Sequence, residues 1–118
     1  MYTIDFFRAI RSGALLLALP VLLAACSDQA DMVDLATLVD RQADYHGQRI
    51  ETQGTVATFE EPRHYWIEDD SFNRVAIEPD SAVEEMVGAD VRVIGEFTAD
   101  RATGRILYAD EVIPVSDD

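Results

Sequence analysis

Few side chains in this sequence could do chemistry, and the most reactive of them is a single cysteine. Cys26 is the only cysteine among the 118 residues, so the chain cannot form an internal disulfide. His46 and His64 are 18 residues apart, which is not the spacing of two metal ligands on one helix. The sequence contains no glycine-rich phosphate loop, no G-x-S-x-G motif and no HExxH motif. We therefore expect neither an enzyme nor a bound metal or cofactor.

The residues before Cys26 have the layout of a secretory signal. Arg8 and Arg11 lie in a short polar head, a 12-residue apolar stretch follows, and small residues come before the cysteine. The apolar stretch is shorter than the about 20 residues that a membrane-spanning helix needs. Residues 1–25 are therefore predicted to be a signal peptide that is removed on export.

The tetrapeptide Leu23-Ala24-Ala25-Cys26 resembles the lipobox of bacterial lipoproteins. The resemblance implies cleavage before Cys26, a diacylglycerol on its thiol and an acyl chain on its new amino group, which together anchor a protein stably. Ser27 follows the cysteine, and in enterobacterial lipoproteins this implies sorting to the outer membrane. The expected location is the periplasmic face of that membrane, in its inner leaflet, with residues 26–30 as a lipidated tether. An unmodified thiol after a generic signal peptide is the alternative.

The chain is strongly acidic. It contains 23 acidic residues against nine arginines and no lysine, which gives a net charge of −14. Removing residues 1–25 takes away two arginines and one aspartate, and leaves seven arginines against 22 acids. These arginines are scattered singly among acidic neighbours, whereas affinity for a nucleic-acid backbone comes largely from cations. The composition therefore predicts a soluble acidic protein and argues against nucleic acid as a partner.

Hydrophobic periodicity predicts one helix followed by five strands. Apolar residues spaced three and four apart predict an amphipathic helix from Asp31, which ends at Gly47. The spacing then changes to two, with alternate residues from Ile50 to Val56 on one face of a strand. Gly54, in the middle of that strand, is expected to mark a bulge or strong coiling, and a short helix is expected from Ala82 to Val87. The strands are expected at Arg49–Ala57, His64–Glu68, Arg74–Glu78, Asp90–Thr98 and Arg105–Ile113.

Five short strands with a helix between the third and fourth are in the order of the OB-fold. Over nearly all of residues 31–115 the chain resembles OB-fold domains of the anticodon-binding-like and bacterial BOF types. The resemblance implies an all-β domain with short helices, built as a five-stranded Greek-key barrel after one amphipathic helix, and an acidic tail follows at 116–118. The matching stretches are Tyr45–Val56, Tyr65–Asp69, Arg74–Ile77 and Gly88–Phe97.

The resemblance also implies a ligand-binding face across the second and third strands, between the Glu60–Arg63 and Ala99–Gly104 loops. Trp66 either stacks a ligand on this face or packs under the amino-terminal helix, and packing is the favoured alternative. The acidic cluster around the second strand could coordinate calcium, but it matches no calcium-binding loop, and solvated turns are the better interpretation. The candidate ligand-binding residues are Glu60, Glu61, Arg63, Trp66, Glu68, Arg74 and Arg101.

These observations predict a membrane-anchored periplasmic lipoprotein whose OB-fold domain is a non-catalytic binding or protein-interaction module. The expected partners are the membrane, through the lipid on Cys26, and an envelope protein. A protein that binds a divalent or organic cation, such as calcium or a polyamine, is the first alternative. A nucleic-acid-binding OB domain is the second alternative, and both the acidity and the predicted location disfavour it.

Overall fold

The structure, a computed structural model, describes residues 30–116. Within this range no helix is long and apolar enough to cross a membrane. Residues 1–29 and 117–118 lie outside it, and the predictions for the signal peptide, Cys26, the tether and the acidic tail fall almost entirely on them. The described elements are β1 (Asp31–Met32), α1 (Leu35–Asp40), α2 (Gln42–Tyr45), β2 (Gln48–Glu60), β3 (Arg63–Glu68), β4 (Arg74–Glu78), a 3₁₀ turn (Asp80–Ala82), β5 (Asp90–Asp100) and β6 (Gly104–Pro114).

The strands form one sheet that closes on itself. In the sheet order β1-β2-β3-β4-β6-β5, strand β2 pairs with both β3 and β5. It can do so because it is 13 residues long, and Gln48 to Thr55 pair with β5 while Thr55 to Glu60 pair with β3. The β1–β2 and β4–β6 pairings are parallel and the others are antiparallel. The predicted mostly-β class is confirmed, whereas the predicted count of five strands leaves out β1.

The core is built from alternate residues of the long strands. In β2 the side chains of Ile50, Thr52 and Val56 are buried, as the period of two predicts. Helix α1 adds Leu35 and Leu38 to the same cluster. The fully buried side chains of the other strands are Ile67, Val75, Ile77, Val91, Val93, Phe97 and Leu107.

The helix predicted from Asp31 is instead a short strand and two short helices. Asp31 lies opposite Ile50 in the parallel β1–β2 pairing, so the chain is extended where the periodicity indicated a helix. The helix begins later, because the Asp34 carboxylate accepts a hydrogen bond from the Thr37 backbone N–H at 2.8 Å and caps it. At Arg41 the backbone leaves helical geometry and separates α1 from α2.

The helix predicted between the third and fourth strands is also wrong. Only a 3₁₀ turn forms after Pro79, and the chain does not continue as a helix to Val87. The backbone that follows hydrogen-bonds to β2 instead: the Val56 N–H donates to the Ala89 carbonyl at 3.0 Å, and the Gly88 N–H donates to the Val56 carbonyl at 2.8 Å. These bonds satisfy the backbone without a helix.

Two glycines in strands, Gly54 and Gly95, lie where other parts of the chain approach the backbone closely. A Cβ on Gly54 would lie 2.8 Å from Leu35 Cδ1 and 3.0 Å from the Glu68 carbonyl oxygen, so this glycine lets α1 and β3 pack closely on β2. Gly54 lies next to Thr55, where β2 changes partner from β5 to β3, and the register shift lies elsewhere, between Ile94 and Gly95 in the β5–β6 pairing. A Cβ on Gly95 would overlap the backbone carbonyl of the facing strand at Tyr108.

We expect Gly95→Ala to lower the free energy of unfolding by about 3 kcal/mol, because the crowded atom is backbone and cannot turn aside. Urea unfolding followed by circular dichroism measures this. Glu96→Ala, at the exposed neighbouring position, is the control and should change stability by no more than about 0.5 kcal/mol. An equally small change for Gly95→Ala would show that β5 and β6 can separate at the register shift.

Candidate functional site

The outer face of β3 carries the candidate site. Tyr65 and Ile67 are buried, so strand alternation turns His64, Trp66 and Glu68 outward. Trp66 thus stands on the outside of the closed sheet. The favoured interpretation, in which it packs under the amino-terminal helix, is wrong.

Three ring side chains form a row at this face, which we call the aromatic row: Phe59, His64 and Trp66. The rings of His64 and Trp66 have centroids 5.1 Å apart with planes tilted by 34°, and Phe59 follows at 6.0 Å from His64. His64 Nδ1 donates to the Pro62 carbonyl at 2.7 Å, since a carbonyl oxygen can only accept. Phe59 is 54% exposed, so much of this residue is open to solvent.

Two arginines, which we call the arginine pair, complete the site. The guanidinium of Arg74 lies 5.0 Å from the centroid of the Trp66 ring and 5.8 Å from that of Phe72. Arg105 donates from Nε to the Arg74 carbonyl at 2.9 Å and from Nη1 to Gln42 Oε1 at 3.1 Å. These partners of Arg105 are neutral, so within residues 30–116 its charge has no carboxylate against it.

A groove of about 410 Å³ runs between the aromatic row and the arginine pair. Its floor is open because Ala76 faces Trp66 across the β3–β4 pairing, and a methyl group fills little space. On the other side of Trp66, β2 also places an alanine, Ala57, but that residue does not line the groove. The lining residues are Phe59, His64, Trp66, Arg74, Ala76 and Arg105.

The charges of this surface are segregated. None of the six residues that line the groove is acidic. The acids lie in a neighbouring cleft of about 240 Å³, which Glu68, Asp69, Asp70 and Asp90 share with the β2 residues 53–55. Glu68 forms the border: its Oε1 accepts from Arg74 Nε at 3.0 Å and from Trp66 Nε1 at 2.9 Å.

Within the acidic cluster around the second strand, Asp69 is bonded into the turn between β3 and β4. Asp69 accepts hydrogen bonds from the Asn73 amide side chain at 2.9 Å, the Asn73 backbone N–H at 3.0 Å and the Ser71 backbone N–H at 2.9 Å. Burial raises the pKa of Asp69, but these bonds outweigh it and leave the pKa below its ordinary value. Among residues 30–116, no three His, Cys, Asp or Glu side chains are placed to hold a metal ion.

The structure brings together three of the seven predicted ligand-binding residues, Trp66, Glu68 and Arg74. Glu60 and Arg63 pair with each other at 3.6 Å beside the β2–β3 turn, and Glu61 is exposed in that turn. Arg101 is exposed in the turn between β5 and β6. The groove residues that the sequence interpretation missed are Phe59, His64, Ala76 and Arg105.

These four residues differ in how well the sequence could have predicted them. His64 and Ala76 stand at outward positions of predicted strands, so the alternation that placed Trp66 outside also placed them there. Phe59 lies beyond the predicted end of its strand. Arg105 reaches the groove only through the parallel β4–β6 pairing, which joins residues about 30 positions apart and leaves no local signal.

No protein-family model matches the chain, and no curated protein matches it. Solved structures do match. The chain is similar to one in the Stn1–Ten1 complex of S. pombe, with 16% identity and a TM-score of 0.53, over 78% of this chain and 82% of that chain. It is also similar to one in U. maydis replication protein A bound to single-stranded DNA, with 19% identity and a TM-score of 0.52, over 75% of this chain and 74% of that chain. These likenesses show an OB-fold-like domain.

The prediction of a binding or protein-interaction module for which nucleic acid is an unlikely partner is contradicted by these neighbours. The replication protein A structure with which this chain shares its fold is bound to single-stranded DNA. The net charge of −14 describes the whole chain, whereas the fold gathers Arg74 and Arg105 at one groove whose lining residues include no acid. Arginines that are scattered in sequence are neighbours in space.

Proposed function

We propose that this domain binds single-stranded nucleic acid in the groove. The observation that carries the proposal is the combination of an aromatic row and an arginine pair around the open floor at Ala76. Proteins that bind single strands without sequence preference combine stacking rings with a positively charged groove. The OB-fold-like structure and its likeness to a protein bound to single-stranded DNA support the proposal.

The stacking partner of a nucleobase is the aromatic row. Trp66 offers the largest ring and is half-buried, with the Arg74 guanidinium 5.0 Å from its centroid and only alanines, Ala57 and Ala76, opposite it on the neighbouring strands. A nucleobase is a flat π-system that stacks both on indole and on guanidinium, and each base stacked on an aromatic side chain contributes about 1–3 kcal/mol. Half-exposed Phe59 and His64 extend the row toward the β2–β3 turn.

The contact to the phosphate comes from Arg105. Its side chain is held by two hydrogen bonds to neutral acceptors, so ordering it on binding costs little and its charge is available. Arg74 is partly neutralised by Glu68 and contributes less. With so few cations engaged, affinity should be weak and its salt dependence shallow, which fits a protein whose remaining surface is acidic.

We also propose that the closed sheet is the Greek-key barrel of the OB-fold, with β1 added at its edge. The ring of pairings β2-β3-β4-β6-β5 and back to β2 supports this. The domain is proposed to bind its ligand without catalysis, because the groove offers rings and cations but no nucleophile with an adjacent base.

Filling the floor of the groove should weaken binding of a single strand. Ala76→Leu is expected to weaken binding of a fluorescein-labelled dT12 by tenfold or more, since the added carbons occupy the space of one stacked base, which contributes about 1–3 kcal/mol. Fluorescence anisotropy at 50 mM salt measures the affinity. Ala57→Leu is the matched control, because Ala57 faces Trp66 from the other strand but lies outside the groove. Equal affinities for the wild type and Ala76→Leu would place the ligand elsewhere.

The salt dependence of binding should show whether Arg105 contacts a phosphate. On a plot of log affinity against log salt, Arg105→Gln is expected to reduce the slope by about 0.7, the change for one lost contact to a single strand. Arg49→Gln is the control, because Arg49 is paired with Asp110 away from the groove. If both variants changed the slope alike, the arginines would act through net charge and not through contact.

The export and lipid anchoring predicted from residues 1–26 stay a proposal about location. We expect Cys26→Ser to leave an uncleaved precursor without lipid, because only the thiol can carry the thioether. Palmitate labelling and gel mobility in a bacterial host measure both effects, with Ser27→Ala as the control that keeps the thiol. Lipid label or mature size in the Cys26→Ser variant would refute the proposal.

A further inference from the structure

One carboxylate oxygen connects the two sides of the groove. Glu68 Oε1 accepts both the indole N–H of Trp66, at 2.9 Å, and Nε–H of Arg74, at 3.0 Å. Glu68 and Arg74 are directly opposite each other in the β3–β4 pairing, and Glu68 stands two residues from Trp66 on the same face. The Glu68 side chain is 23% exposed, against 51% for Arg74, so it is the better ordered partner of the ion pair.

This bond arrangement fixes side chains that would otherwise be mobile. An arginine has many rotamers, and holding it over a ring costs conformational entropy unless a partner orders it. The shared oxygen orders the Arg74 guanidinium 5.0 Å from the Trp66 ring and fixes the indole by its only polar atom. Both stacking groups are therefore set before a base arrives, which lowers the cost of binding.

The same carboxylate also repels a negatively charged ligand. It is negative, it borders the groove, and it neutralises one of the two arginines that could meet a phosphate. If charge were its only effect, removing it would improve binding of a polyanion. Its hydrogen bonds and its charge thus act in opposite directions, and substitutions can separate them.

We propose that Glu68 is a positioning residue that orders Trp66 and Arg74 for stacking and does so at a cost in electrostatic attraction. The inference rests on the proposed function, since it concerns the same groove and the same single-stranded ligand. Glutamine at this position keeps an oxygen acceptor and loses the charge, whereas alanine loses both.

The test compares Glu68→Gln and Glu68→Ala in binding to fluorescein-labelled dT12 at 50 and 200 mM salt. Glu68→Gln is expected to bind about fivefold more tightly at 50 mM salt and to steepen the salt slope by about 0.7, because Arg74 becomes a free cation. Glu68→Ala is expected to bind about fivefold more weakly than the wild type, although it carries the same net charge as Glu68→Gln. Equal gains in both variants would show that Glu68 acts by charge alone and would overturn the proposal.

A second measurement needs no ligand. Trp66 is the only tryptophan, so its indole N–H gives one assignable resonance in a ¹⁵N-labelled protein. We expect the resonance to stay near its wild-type position in Glu68→Gln and to move in Glu68→Ala, as the hydrogen bond is kept or lost. An unmoved resonance in Glu68→Ala would overturn the positioning role whatever the oligonucleotide does. Failure of the wild type to bind dT12 would instead overturn the proposed function.

Discussion

Strand β2 is the constraint on which the rest of this structure depends. It pairs with three other strands, and the change of partner from β5 to β3 falls at Thr55, which faces both Asp90 and Glu68. A strand can serve two neighbours in this way only if it coils, and Gly54 gives the room for that by letting Leu35 and the backbone at Glu68 approach it closely. The closed sheet, the enclosed core and the position of Phe59 at the far end of the strand all follow from this crossing.

Closure also explains how an acidic chain obtains a groove without acids. The last strand returns between β4 and β5, and its parallel pairing with β4 places Arg105 against the backbone of Arg74. The turn after β3 holds Asp69 in hydrogen bonds with its own residues. Long-range pairing thus brings Arg105 to Arg74, whereas Asp69 is held by its local turn. The net charge is a sum over the sequence and does not reflect where the charged residues lie in the fold.

The sequence therefore predicts the features that depend on neighbouring residues, and it misses those that depend on pairing between distant strands. The inward face of β2 followed from a period of two, and Gly47 takes a positive φ of 84°, as expected of a glycine at the end of a helix. The apolar spacing after Asp31 indicates a helix, but Asp31 and Met32 pair in parallel with β2, and this strand pairing takes the place of helical hydrogen bonds. Alternation along β3 is enough to place Trp66 outward. Its neighbours in the groove can be identified only once the order of the strands is known.

The border at Glu68 has a consequence for the path of any bound chain. Beyond it lies the cleft of Asp69, Asp70 and Asp90, whose negative charge repels phosphates, while in the other direction the aromatic row runs on to Phe59. The groove therefore has an acidic cleft on one side, which repels a polyanion, and on the other side an aromatic row that ends beside Glu60 and Glu61.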